Sequence, residues 1–252
     1  MKKAKALLAG TAVWVGVMNG YANAENSRLE VAETIEAQYI SKLGCAVTDV
    51  AFREESRPPD FEYDNGLNVA ARVKTPGEVL IAEASLYQMG EGEFNKLIAH
   101  EMTHVCAGPL RLFERPIKGV NGDRLLGARG FVVLGDNPSQ PDKTLMFTLI
   151  EEGAATVLQD AITSQTGEGY TFEGYAAVRN LTARLQNEHE ISDKQLANMV
   201  QNSQLMEFVA IVNGLDSAEE AGRKELAYVM WMYDQAYKSA TETPGASKLG
   251  PS

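Results

Sequence analysis

The sequence lacks a strong compositional bias and contains no internal repeat. Hydrophobic residues make up 44% of its 252 residues and charged residues make up 23%. This composition excludes collagen-like, coiled-coil and wholly disordered chains, each of which needs a stronger bias. The length suffices for one domain of generous size or two small ones, with enough residues to bury a hydrophobic core.

Positively charged residues are also fewer than negatively charged ones. The chain has 23 Lys and Arg against 34 Asp and Glu, which gives a formal net charge of −11 and a pI near 4.9. An acidic surface repels phosphate backbones and anionic lipids. This balance therefore argues against nucleic acids and membrane surfaces as partners.

Long hydrophobic stretches are missing apart from one near the N-terminus. Ala6–Met18 is an apolar run of 13 residues, which is too short to span a bilayer comfortably. It follows three lysines and precedes an Ala-Asn-Ala sequence at 22–24, the small-x-small pattern that signal peptidase cleaves. We therefore expect residues 1–24 to be a bacterial-type signal peptide and the mature chain to begin near Glu25. The mature protein would be exported, either periplasmic or secreted, and an uncleaved N-terminal membrane anchor is the alternative.

Cysteine is scarce, since the chain contains only Cys45 and Cys106. Both lie in the part that would be exported, and an oxidising compartment favours a disulfide between an even pair. The alternative is two separately buried thiols.

The hydrophobic patterns predict an α+β fold in which a small sheet comes first. A helix is expected at Ser27–Leu43, followed by strands at Leu67–Lys74 and Glu78–Tyr87 that form a hairpin. A second helix is expected at about Glu93–Val105, where apolar residues recur at helical spacing.

The remainder of the chain is predicted to be mostly helical. Residues 109–143 are expected to be irregular, with one short strand at Phe131–Leu134. A strong helix should then run from about Thr144 to Thr163, and further helices should follow at about 172–188, at 192–213 with a break within this range as an alternative, and at 217–239. We expect one domain over residues 25–240 and a disordered tail over 241–252.

The helix predicted at 93–105 contains the sequence His-Glu-Met-Thr-His, an H-E-x-x-H motif. His100 and His104 lie four residues apart, so both imidazoles project from one helix face, about 6 Å apart, and can reach one metal ion. Glu101 is set to one side, where its carboxylate can accept a proton from an activated water. The whole chain has three histidines and two of them are here, which favours a functional motif over a chance match. An amphipathic helix with two surface histidines is the competing interpretation.

A catalytic zinc site needs a third protein ligand and one open position. The position six residues after His104 is Leu110, so the third histidine of the metzincin pattern is absent. His189 lies between two glutamates in what resembles an exposed helix end, and Cys106 falls on a different side of the helix. The remaining candidates are Glu151 and Glu152, which are costly in an apolar helix unless they are paired or bound to a metal.

At this second acidic segment the sequence resembles the gluzincin group of zinc metallopeptidases. Members of that group take their third zinc ligand from a Glu on a later helix, often in a Glu-Gly-x-Ala context, and Glu152-Gly-Ala-Ala fits that pattern 48 residues after His104. The resemblance implies a zincin-like fold, hydrolysis of peptide bonds, one catalytic zinc ion bound by His100, His104 and Glu152, and Glu101 as general base. Glu151 is the competing third ligand.

The resemblance also raises expectations about the rest of the site. Many gluzincins carry an acid four residues after the ligand Glu that orients a zinc-bound histidine, but here that position is Thr156 and the next acid is Asp160.

In zincins an edge strand pairs with extended substrate, and Glu78–Tyr87 occupies that place, unless it is an ordinary core strand. A Tyr or His usually stabilises the oxyanion, and the candidates are Tyr170, Tyr175, His189 and Tyr233.

The main alternative to a peptidase is an exported binding protein without catalytic activity on a zincin-like scaffold. Such a protein would hold zinc structurally or not at all. The intact Glu101 favours the enzyme, because a structural zinc site has no need of a general base.

Overall fold

The computed structural model describes residues 28–55, 71–75, 77–119, 122–137, 139–140, 142–163 and 173–242. The predicted signal peptide, Tyr170 and the tail from residue 243 lie outside these ranges, as does the part of the predicted strand before residue 71.

Within these ranges the chain is a mixed α+β fold, as predicted from the sequence. Its elements, in chain order, are α1 (28–43), β1 (Ala51–Glu55), β2 (Ala71–Thr75), β3 (Glu78–Ala82), α2 (Glu83–Tyr87), α3 (Glu91–Val105), β4 (Arg111–Lys118), β5 (Arg124–Arg129), β6 (Val132–Asp136), β7 (Thr144–Phe147), α4 (Leu149–Thr163), α5 (Glu173–Glu188), α6 (Asp193–Gln201), α7 (Leu205–Val212) and α8 (Arg223–Thr241).

The N-terminal sheet has the strand order β1-β3-β2. The predicted hairpin is confirmed over β2 and β3, which pair antiparallel, whereas β1 pairs parallel with β3. The prediction that Glu78–Tyr87 is a single strand is wrong, because the strand ends at Ala82 and residues 83–87 form α2. A short apolar run does not by itself distinguish a strand from a helix.

A second sheet follows α3, with four antiparallel strands in the order β4-β5-β6-β7. The prediction that residues 109–143 are irregular is therefore wrong, because β4 and β5 also form there, whereas the short strand predicted at Phe131–Leu134 is confirmed as β6. The helix predicted from Thr144 begins at Leu149. The first strand carries Pro116 within a register shift between Leu112 and Ile117. Proline is tolerated at an edge strand or a bulge, so it does not prevent this strand from forming.

Helix α4 is the central helix of the second half. It packs against α3, α5, α6 and α8, and residues on all of its sides are buried, as expected for a helix enclosed by others. A Cβ on Gly153 would clash with Thr182 Oγ1 on α5 and would lie 2.9 Å from the ring of Tyr233 on α8. The glycine therefore allows both helices to approach the segment that carries Glu151 and Glu152.

The predicted disulfide between Cys45 and Cys106 is present, with a Cα–Cα distance of 5.4 Å. It joins the segment after α1 to the C-terminal cap of α3. A buried tyrosine adds a second tie, since the hydroxyls of Tyr39 on α1 and Thr103 on α3 lie 3.1 Å apart. Helix α3 is thus held at its C-terminal end by α1 and by the segment that follows α1.

None of the helices in the described ranges has the length and apolar character that a membrane-spanning segment needs.

Candidate metal centre

Two histidines project from α3 toward α4. His100 and His104 are one helical turn apart, their ring centroids are separated by 5.0 Å, and their Nε2 atoms are 3.2 Å apart. Both side chains are half-buried at the surface of the helix pair. The spacing predicted from the sequence therefore brings the two Nε2 atoms together.

Glu152 supplies the third group from the N-terminal turn of α4. Its Oε2 lies 3.1 Å from His100 Nε2 and 3.7 Å from His104 Nε2. The three potential ligand atoms all lie within 4.8 Å of one another, and the cluster could hold a metal ion.

Glu151, the competing ligand, faces a different atom of His104. Its Oε1 lies 2.8 Å from Nδ1 of that ring, on the side away from the cluster. Its Oε2 accepts the backbone N–H of Phe131 at 2.7 Å. The structure therefore brings Glu152 to the histidine Nε2 atoms and Glu151 to the back of one imidazole.

Glu101, between the two histidines in the sequence, is buried with 7% of its surface exposed. Burial raises the pKa of its carboxyl, and the positive charge of His104 and His100 acts in the opposite direction. A carboxyl whose pKa is raised accepts a proton more readily, which suits a general base.

The electrostatics of the cluster couple His104 to both glutamates. Burial by itself would lower the pKa of His104, but the charge of Glu152 and the hydrogen bond to Glu151 outweigh it and raise that pKa well above its usual value. Burial would likewise raise the pKa of Glu152, yet His104 and His100 lower it. The cluster therefore favours an ionised carboxylate at the position where a cation would be bound.

Of the candidates for oxyanion stabilisation, Tyr175 lies beside the cluster. Its ring stacks on that of His100, with centroids 6.3 Å apart and planes 10° apart. Tyr233 is fully buried, and its hydroxyl lies 2.6 Å from Thr182 Oγ1. His189 follows the end of α5, 14 residues after Tyr175 in the chain, which is roughly 20 Å along a helix. Tyr170 lies outside the described residues.

Asp160 does not reach the histidines. It lies in a buried ion network, where Oδ1 is 3.5 Å from Lys96 Nζ and Oδ2 is 2.6 Å from Arg179 Nε. Thr156 donates a hydrogen bond to the backbone carbonyl of Glu152 at 2.6 Å. Neither residue is the orienting acid that the resemblance leads one to expect.

Sequence reasoning did not identify the contact between the β5–β6 turn and Glu151. The signals were present as a Glu-Glu pair in an apolar helix and as an isolated Gly130 between apolar strands. These two patterns do not predict that the backbone N–H of Phe131 in this turn donates a hydrogen bond to the carboxylate of Glu151.

Comparisons of the chain with models of protein families, with curated proteins and with solved structures find no match. Its functional interpretation therefore depends on the geometry of the cluster itself.

Proposed function

We propose that this protein is an exported zinc metallopeptidase of the gluzincin type. The observation that carries the proposal is the convergence of His100 Nε2, His104 Nε2 and Glu152 Oε2, with separations of 3.1, 3.2 and 3.7 Å. Ligand atoms bonded to zinc at about 2.0–2.1 Å in a tetrahedron lie roughly 3.3 Å apart. Two histidines and one glutamate are also a donor set of catalytic zinc sites, which keep a fourth position open.

A zinc ion held by His100, His104 and Glu152 would supply the Lewis acidity for activating a water and polarising the carbonyl of the scissile peptide. Glu101 would take the proton of the attacking water on its carboxylate and pass it to the leaving amine. Its burial, together with its raised pKa, supports this role. Tyr175, stacked against His100, is the best placed of the described candidates to support the developing oxyanion.

A zincin-like arrangement is supported by the strand that lies along the active-site helix. Of the two alternatives for the strand from Glu78, β3 is the core strand and not the edge strand, because it pairs with β1 on one side and with β2 on the other. In the described sheet β2 is an edge strand and packs against α3. We therefore assign to β2 the backbone pairing with extended substrate.

Export is supported by the disulfide between Cys45 and Cys106, because disulfides persist in oxidising compartments. The predicted signal peptide at residues 1–24 and cleavage near Glu25 complete this part of the proposal.

The Glu101→Gln variant tests the mechanism. We expect zinc to be retained and peptide hydrolysis to fall by about 10²–10⁴-fold, the usual contribution of a general base. The matched control is Glu91→Gln, which changes an exposed glutamate in the first turn of the same helix and should leave activity unaltered. Hydrolysis of a broad peptide library, followed by mass spectrometry, provides the measurement.

Two results would contradict the mechanism. Undiminished hydrolysis by Glu101→Gln would exclude this residue as the base. Stoichiometric zinc without hydrolysis of any library peptide by the wild-type chain would favour the non-catalytic binding protein.

A further inference from the structure

We propose that Glu151 is a positioning residue that fixes the orientation and tautomer of His104, and that the β5–β6 turn holds Glu151 in place for this role. The inference rests on the proposed zinc site and adds a structural requirement to it. It gives a function to a carboxylate that is not part of the ligand cluster.

The first step concerns the two nitrogens of His104. Its Nε2 points at His100 and Glu152, whereas its Nδ1 lies 2.8 Å from Glu151 Oε1. A neutral imidazole carries one proton, so Nε2 has a lone pair for a metal only when the proton is on Nδ1. A carboxylate facing Nδ1 accepts that proton in a hydrogen bond and selects this tautomer.

The second step concerns the other oxygen of Glu151, which accepts the backbone N–H of Phe131 at 2.7 Å. Each carboxylate oxygen thus faces an N–H donor. A glutamine has a single acceptor oxygen, so it can satisfy one donor but must turn its NH₂ group toward the other. Because Glu151 is only 2% exposed, water does not readily replace the lost contact.

The third step concerns the turn between β5 and β6. Gly130 has φ +55°, and a Cβ at this position would clash with Glu151 Oε2 and lie 2.9 Å from Ala107 Cβ. The N–H of Gly130 donates to Ser203 Oγ at 2.8 Å, and the Ser203 hydroxyl donates to the carbonyl of Pro109 at 2.6 Å. The turn is therefore hydrogen-bonded to Ser203, which follows α6, and through it to Pro109, which follows α3. It has no room for a side chain at Gly130, next to Glu151.

The experiment measures zinc affinity by competition with a chromophoric chelator, using the purified chain and Glu151→Gln. We expect zinc binding to weaken by about 10- to 100-fold, the usual effect of removing an orienting partner. The matched control is Glu36→Gln, which also removes a buried carboxylate that accepts a backbone N–H, from Val50 at 3.0 Å, but which is not a member of the cluster. This control should bind zinc as the wild type does.

Nuclear magnetic resonance of the histidine side chains provides a readout that a merely structural role would not change. In the zinc-loaded wild type we expect a slowly exchanging Nδ1 proton on His104. In Glu151→Gln this signal should broaden or disappear, while the signals of His189 remain unaltered.

The Gly130→Ala variant tests the turn without changing any carboxylate or ligand, and it applies even if Glu151→Gln does not fold. We expect zinc affinity to fall in this variant. Its control is Gly214→Ala, at φ +67° with nothing within 4 Å of the added Cβ. The control carries similar backbone strain without a neighbour, so it should retain zinc affinity.

The outcomes separate this proposal from the proposed function. If Glu151→Gln binds zinc within twofold of the wild type with the Nδ1 signal intact, the positioning role is wrong and the zinc site stands. If the wild type binds no zinc, both proposals are overturned.

Discussion

Gly153 illustrates how a single residue sets the position of the acidic pair on α4. An added Cβ would clash with Thr182 Oγ1 and would lie 3.0 Å from the carbonyl oxygen of Val178. Both of these neighbours are on α5, which also carries Tyr175 above His100. The absence of a side chain at this residue therefore allows α5 to pack closely beside the candidate metal cluster.

We expect Gly153→Ala to destabilise the protein. Overpacking at a tight helix contact costs about 1–3 kcal/mol, which exceeds the gain of at most about 1 kcal/mol from the higher helix propensity of alanine. Denaturant unfolding at equilibrium measures the free energy of unfolding of both proteins. An unchanged or raised free energy of unfolding for Gly153→Ala would contradict this prediction. It would show that α4 and α5 can move apart enough to accommodate the added methyl group without loss of stability.

The candidate ligand cluster could be predicted because its arrangement is local or follows a motif. His100 and His104 meet through the spacing of one helix, and Glu152 was identified through its Glu-Gly-x-Ala context. The position of Glu151 could not be predicted, because it depends on the N–H of Phe131, 20 residues earlier in the chain. The sequence left both glutamates as candidate ligands for this reason.

At the scale of elements, the second sheet is the main feature that the sequence did not reveal. Along β4 the exposed and buried positions do not alternate, and most residues are exposed. The period-2 pattern that identifies a half-buried strand is therefore missing. The strand is specified by its pairing with β5, which is a tertiary interaction.

The disulfide connects the segment after α1 to the C-terminal end of α3, where Cys106 lies two residues after His104. It closes a loop with a sequence separation of 61 residues, and the chain-entropy model gives about 4 kcal/mol for a loop of this size. We expect reduction to lower the free energy of unfolding by up to this amount, as measured by denaturant titration with and without a reductant.

A double variant, Cys45→Ala with Cys106→Ala, is the control for the disulfide. It should match the reduced wild type and show no further response to reductant. A wild-type stability that reductant leaves unchanged would contradict the stabilising role.

At the scale of the whole molecule, the cluster exists because two helices far apart in the chain pack antiparallel. Going along α3 from its C-terminal end, His104 faces Glu151, His100 faces Glu152, and Lys96 faces Asp160 on α4. The same helix pair thus carries the candidate metal cluster at one end and a buried ion network at the other. Helical periodicity predicts each helix separately, but not that these polar faces meet.

Zinc content is the most direct test of the account. The purified chain, the Glu152→Ala variant and the His189→Ala variant would be supplied with zinc, desalted and measured by elemental analysis. We predict about one zinc per chain in the wild type and in His189→Ala, whose histidine lies outside the cluster, and far less in Glu152→Ala. A wild-type chain without zinc, or a Glu152→Ala variant with a full equivalent, would contradict the proposed three-ligand site.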